Sequence, residues 1–365
     1  MAKFTDIFED VTKQGTKIPT NLYLETGMYP IIDQGQSQVA GYTNETEGVF
    51  TDIPAIIFGD HTRIIKYVDT PCFLGADGVK LLKAKDPTAN YKYLYYALCN
   101  ADIPNTGYNR HFKWLKEIEI AECSTEEQNS IVAQFEKIDT LICLRKQQLS
   151  KLDELVKSRF IEMFGDPVIN PQGWEIAPLS RLIVTANNGM ARRGKDEDGS
   201  IVLRLVELQN GFIDYSEPNR IKLTEAEKKR YRLIENDFLF ARVNGNPDYV
   251  GRCAVFNEIG EPVYHNDHII RVHFDESRIN GCFTSVLLNS EYGKRQLKEQ
   301  IKTSAGQYTI SQDGIGAIIT IIPPLSLQTE FAIFVEQTDK SKFEIQKSLE
   351  KLEILKKSLM QQYFG

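Results

Sequence analysis

The chain has 365 residues, 42% of them apolar, and a formal net charge of −7, which is enough sequence for two domains that each bury a core. It contains no apolar run of about 18 residues and no secretory signal, so a helical membrane protein is excluded and a cytoplasmic one expected. The six cysteines lack the close pairs of a zinc site and the density of a disulfide scaffold. No segment is basic as a whole, so a nucleic-acid surface would have to be a local patch or be completed by a partner.

Along the chain, strands are predicted near 29–33, 55–58, 63–68 and 78–83 and a helix at 88–99. Apolar residues then recur every three or four positions at Ile131, Phe135, Ile138, Ile142, Leu149, Leu152, Val156, Phe160 and Met163. This is a heptad seam, interrupted only by Arg145 and Arg159. Ser124 with Glu127, or Thr125 with Gln128, supplies a capping box at its start, and Gly165-Asp166-Pro167 marks its stop. Further strands are predicted at 201–207, 237–243 and 268–272, helices at 224–232 and 283–302, and turns at Asn210-Gly211 and Asn244-Gly245-Asn246-Pro247. After Pro323-Pro324 a second seam runs through Phe331, Val335, Thr338, Ile345, Leu349, Leu352, Leu359 and Tyr363. It is weaker, because Lys342 and Lys356 fall on its track.

The second seam repeats the first at a fixed offset. Gln128 matches Gln328, Asp139 matches Asp339, Leu152 and Leu155 match Leu352 and Leu355, and Phe164-Gly165 matches Phe364-Gly365. A self-match of this length predicts an internal duplication. Residues 1–122 and 166–322 would be globular domains, and 123–165 and 323–365 long helices. The expected class is α+β, with two similar globular domains separated by two long helices. At ~1.5 Å per residue such helices run about 55 to 60 Å. They are expected to pack antiparallel as a coiled coil, relating the domains by a pseudo-twofold axis.

Catalytic motifs are sparse. Asn246-Pro247-Asp248-Tyr249 approaches the loop with which amino-methyltransferases grip a flipped base, but Asp248 replaces the second proline and no glycine-rich loop for S-adenosylmethionine accompanies it. Pro247-Asp248 with Glu258 approaches a metal-dependent nuclease core, yet Gly260 stands where a lysine is needed. Phosphate loops for ATP are missing as well. His265, His268 and His273 do not have the spacing of a helical metal pair, so no metal site is expected.

Several stretches carry a family resemblance. They are Arg159 to Pro167 followed by Gly173-Trp174, Leu203 to Asp214, Asn236 to Gly245, and Ile321-Ile322-Pro323-Pro324-Leu325 with Gln328. Together with the domain–helix–domain–helix order, they make the chain resemble the specificity subunits of type I restriction-modification systems. The resemblance implies a non-catalytic DNA-recognition subunit with two target recognition domains, each reading one half of a bipartite asymmetric site in double-stranded DNA. The helices would set the gap and dock two methyltransferase subunits, with restriction/translocase subunits joining them in a defence complex. No cofactor is expected on this chain; S-adenosylmethionine, ATP and magnesium would sit on the partners. Alternatives are the recognition subunit of a type II restriction-methylation enzyme and a coiled-coil scaffold without DNA binding.

Bases are read by Arg or Lys at guanine and by Asn or Gln at adenine, while Lys, Arg and backbone amides hold phosphates. Candidate DNA contacts in the first domain are therefore Lys13, Lys17, Gln34, Gln36, Gln38, Asn109, Arg110 and Lys113. In the second they are Arg192, Arg193, Lys195, Arg242, Asn244, Asn246, Gln307 and Tyr308.

Overall fold

A computed structural model describes residues 1–75, 78–107, 109–304 and 306–365. The chain divides into two compact units, Met1–Gln147 with Ile345–Gly365, and Gln148–Glu344. Both are α+β, and each contains part of both long helices, Thr125–Phe164 and Leu325–Phe364.

In the first unit an antiparallel sheet runs in the order Phe8–Asp10, Val79–Ala84, Ala55–Gly59, Ile65–Val68. A smaller sheet runs Gly41–Thr43, Tyr29–Ile32, Phe73–Leu74, and its last pair is parallel. Ala2–Lys3 pairs with Glu119–Ile120 just before the first long helix. The second unit repeats this plan. Its larger sheet runs Ile183–Asn188, Ile269–Phe274, Phe238–Ala241, Cys253–Val255. Its smaller one runs Arg220–Ile221, Ser200–Leu203, Val263–His265, again with a parallel last pair. Glu175–Pro178 pairs with Ile319–Ile322 just before the second long helix. Taken in chain order, the strands of both units pair in the same way, which is the duplication expressed as topology. The second unit adds a ribbon of Val243–Asn244, Gln307–Thr309 and Lys302–Ser304.

Each core is closed by aromatic residues from both helices. In the first unit Phe135 stacks on Tyr96, with ring centroids 4.8 Å apart, and meets Tyr363 and Phe364 from the other helix. In the second, Phe160, Phe164, Phe283 and Phe331 form a cluster with centroids 4.8 to 5.6 Å apart. A buried aromatic side chain contributes roughly 1.5–3 kcal/mol, so these contacts do much to hold each helix end onto its unit. Ile131, Phe135, Ile138, Val156, Phe331, Val335 and Leu349 are buried, whereas Ile142, Leu149, Leu152, Ile345, Leu352 and Leu359 are half-buried. Within each unit the helices run antiparallel, as Gln134–Tyr363 and Asp139–Lys356 show in the first and Asp153–Lys342 and Arg159–Glu330 in the second.

Local chemistry explains the boundaries. Ser124 and Glu127 form the reciprocal cap of the first long helix. Gln128 and Gln328 make the same bond in both copies, Nε2 donating to the Cys123 and Pro323 carbonyls. Thr224 and Glu227 cap the helix Glu225–Tyr231 in the same reciprocal manner. Three expectations need correction. The strand expected at 201–207 stops at Leu203, because the Glu207 carboxylate takes the Arg204 amide and folds the chain into a turn. The one at 237–243 divides at Arg242: its amide still bonds the His268 carbonyl opposite, but its carbonyl accepts from the Ile310 amide, and Val243–Asn244 pairs with Gln307–Thr309 instead. The helix at 283–302 is two helices, Gly281–Asn289 and Glu291–Glu299, because Ser290 turns extended and caps the second through Gly293 N.

Candidate nucleic-acid interface

In the first unit three loops separated in sequence meet. The segment after Tyr29–Ile32 carries Gln34, Gln36 and Gln38, and it lies against the turn that follows Ala55–Gly59. Gln34 Oε1 accepts from the His61 amide at 3.2 Å, and the Gln34 carbonyl accepts from Thr62 Oγ1 at 2.6 Å. His61 Nδ1 in turn lies 3.1 Å from the Asn109 carbonyl, which brings in the loop of Asn109, Arg110 and Lys113. Gln38 donates to the Tyr67 carbonyl at 2.7 Å. Two of the three alternating glutamines therefore hold the loop, and Gln36 stays exposed with no hydrogen bond among the described residues. Asn109 donates to Thr106, and Lys113 lies over the Trp114 ring at 4.1 Å. Arg110 and Lys13 are exposed; Lys17 bridges to Leu74, whose strand also pairs with Ile32.

The group beneath the glutamine loop was not singled out from sequence. Lys66 is 2% exposed, and its ammonium reaches Asp33 Oδ1 at 3.3 Å and the Ser37 carbonyl. Burial pulls its pKa down, opposed by Asp33. Its one sequence signal is strand alternation, which puts Lys66 on the same face as Val68.

The second unit gathers its candidates around the turn at Asp267 and His268. Arg193 donates to Asp267 Oδ1 at 2.6 Å, to His268 Nε2 at 3.1 Å and to the Ala191 carbonyl at 2.8 Å. Arg242 donates to the Asp267 carbonyl at 3.0 Å. Asn244 pairs with Tyr308 across the added ribbon, and Gln307 lies beside it, exposed. The loops around 193, 242–246 and 307–308 are therefore neighbours. Arg192 faces elsewhere: it makes a two-pronged bond to Glu227 and a bond to the Lys222 carbonyl. The Arg192 guanidinium, helped by Thr224, holds the Glu227 carboxyl down to about 2. Asn244 and Asn246 each accept a backbone amide through their side chains, from Asn246 and Asp248, so both shape the turn. Lys195 is exposed and makes no ion pair among the described residues. Lys302, also exposed on the ribbon, was missed because nothing in sequence joins it to position 244.

The remaining chemical motifs settle into ordinary surroundings. Pro247–Tyr249 is a short 3-10 turn capped by Asn246, with Tyr249 lying under Arg252 at 3.9 Å. His265 is fully buried and bonds the Tyr231 carbonyl, while His273 bonds Asp237. Among the described residues no cluster of His, Cys, Asp and Glu could hold a metal, and no helix is long and apolar enough to cross a membrane.

Known proteins resemble this chain in both sequence and fold. Residues 1–154 match the model of the type I restriction modification DNA specificity domain. The chain is 32% identical over 197 residues to the StySPI specificity subunit of Salmonella potsdam, across 53% of this chain and 42% of that one. It is 24% identical over 213 residues to the EcoKI specificity subunit of Escherichia coli K12, across 57% and 45%. The matched stretches thus span about half the length of these curated relatives. In fold it is similar to the S subunit of a type I restriction-modification system from M. genitalium, with a TM-score of 0.60, 17% identity, and coverage of 100% of this chain and 95% of that one.

Proposed function

We propose that this chain, whose first 154 residues match a type I restriction modification DNA specificity domain, is the sequence-recognition subunit of a type I restriction-modification complex. Each unit reads one half of a bipartite, asymmetric site in double-stranded DNA. The observation that carries this reading is the shared strand pairing of the two units beneath unlike loops. A common scaffold suits a common task, and different side chains at the loop clusters suit different half-sites. The glutamine and Asn109–Arg110 loops serve the first half-site, and the ribbon with Gln307 and Lys302, together with the loop that carries Lys195, serves the second.

In this reading the chain performs no chemistry. Methyl transfer and cleavage, with S-adenosylmethionine, ATP and magnesium, belong to two methyltransferase subunits and to restriction/translocase subunits. The negative net charge is compatible with DNA binding because those partners would add much of the phosphate grip. Mapping adenine methylation genome-wide, with this gene intact and deleted beside a retained methyltransferase gene, tests the reading. Loss of a two-part asymmetric motif on deletion is expected. An unchanged map, with the methyltransferase expressed, overturns it.

A further inference from the structure

Lys342 and Lys356 look like defects in the second heptad seam, since each puts a charge where an apolar residue is expected. Each meets an aspartate of the first helix. Lys356 Nζ lies 2.5 Å from Asp139 Oδ1 in the first unit, and Lys342 Nζ lies 2.7 Å from Asp153 Oδ1 in the second. Both lysines are largely covered, at 32% and 26% exposure. The first pair is further braced by the Tyr96 hydroxyl, which donates to Asp139 Oδ2 at 2.9 Å, and the second by Asp339, 3.3 Å from Lys342.

The spacing makes the two pairs one device. Lys342 and Lys356 are two heptads apart, and so are Asp139 and Asp153. In antiparallel helices both bonds therefore form in the same register. Slipping the second helix by one heptad in one direction sets Lys356 against Lys146 and Lys342 against Phe160. A slip in the other direction sets Lys342 against Lys146 and Lys356 against Val132. Either slip replaces two attractions with a repulsion and a charge on an apolar residue. Pairing with the same helix of another copy fails for a similar reason, because antiparallel matching puts Lys342 on Lys356 or Asp139 on Asp153. Polar groups at seam positions are the best-attested way to fix register and partner, at some cost in stability.

We propose that Asp139–Lys356 and Asp153–Lys342 form a two-point charge key, by which the seam accepts the complementary helix in one register and rejects the same helix of a second copy of this chain. Zero-length carbodiimide coupling of the full chain, performed on a mixture of isotopically heavy and light protein, reads partner and register together. Amide links joining 139 to 356 and 153 to 342, heavy to heavy and light to light, are expected. Links shifted by a heptad, or mixed heavy–light links between two copies of the same helix, overturn the proposal. Charge swapping supplies a second reading. Lys356→Asp alone should lower Tm by about 5 °C, and adding Asp139→Lys should restore most of the loss. Additive losses in the swapped variant would mean that the residues do not act as a pair.

Discussion

His265 should make the second unit sensitive to mild acid. The side chain is fully buried in the strand Val263–His265, its Nδ1 is 3.2 Å from the Tyr231 carbonyl, and burial pulls its pKa down to about 4. The ordinary value is about 6.5, so below that pH the unfolded chain takes up a proton that the folded one refuses. Its contribution is fully present above pH ~6.5, declines as pH falls, and is gone below pH ~4. At 1.36 kcal/mol per pKa unit the whole loss is about 3 kcal/mol, with a slope near 1.4 kcal/mol per pH unit in mid-window. The chain has two tryptophans, and Trp174 belongs to the second unit, where its indole donates to the Phe164 carbonyl. With Trp114→Phe as background, urea unfolding followed by Trp174 fluorescence between pH 7.5 and 5 reports this unit. His265→Leu should flatten the slope. An equal slope in both proteins would refute the assignment.

Other outcomes follow from the same contacts. Asp33→Ala leaves Lys66 buried without its carboxylate and should cost about 3 kcal/mol, whereas adding Lys66→Met should recover much of it; urea melts of the two variants compare the losses. Phe164→Ala removes a fully buried ring and should cost about 3–5 kcal/mol. Phe364→Ala, at the equivalent but half-buried position, should cost clearly less by thermal or urea melting. In the assembled complex, Lys195→Ala should reduce the salt slope of DNA binding by about one, without the loss of the Glu227 ion pair that Arg192→Ala would bring. Titrations at several salt concentrations decide it.

What could be read from the sequence alone was whatever depends on near neighbours. The heptad seams, the Ser124–Glu127 cap and the stop at Gly165 need only helical periodicity and local hydrogen bonds. The matched 125–164 and 325–364 helices follow from them. Candidate DNA loops could be proposed from residue type. Which of their side chains are committed to the fold was decided only in three dimensions, since partners lie far away in sequence: Gln34 with His61, Gln38 with Tyr67, Arg193 with Asp267. Lys342 and Lys356 illustrate the division best. As isolated letters they weaken a hydrophobic pattern. Opposite Asp153 and Asp139 they become matched charges, because a side chain's free energy depends on what the fold places within a few ångströms of it.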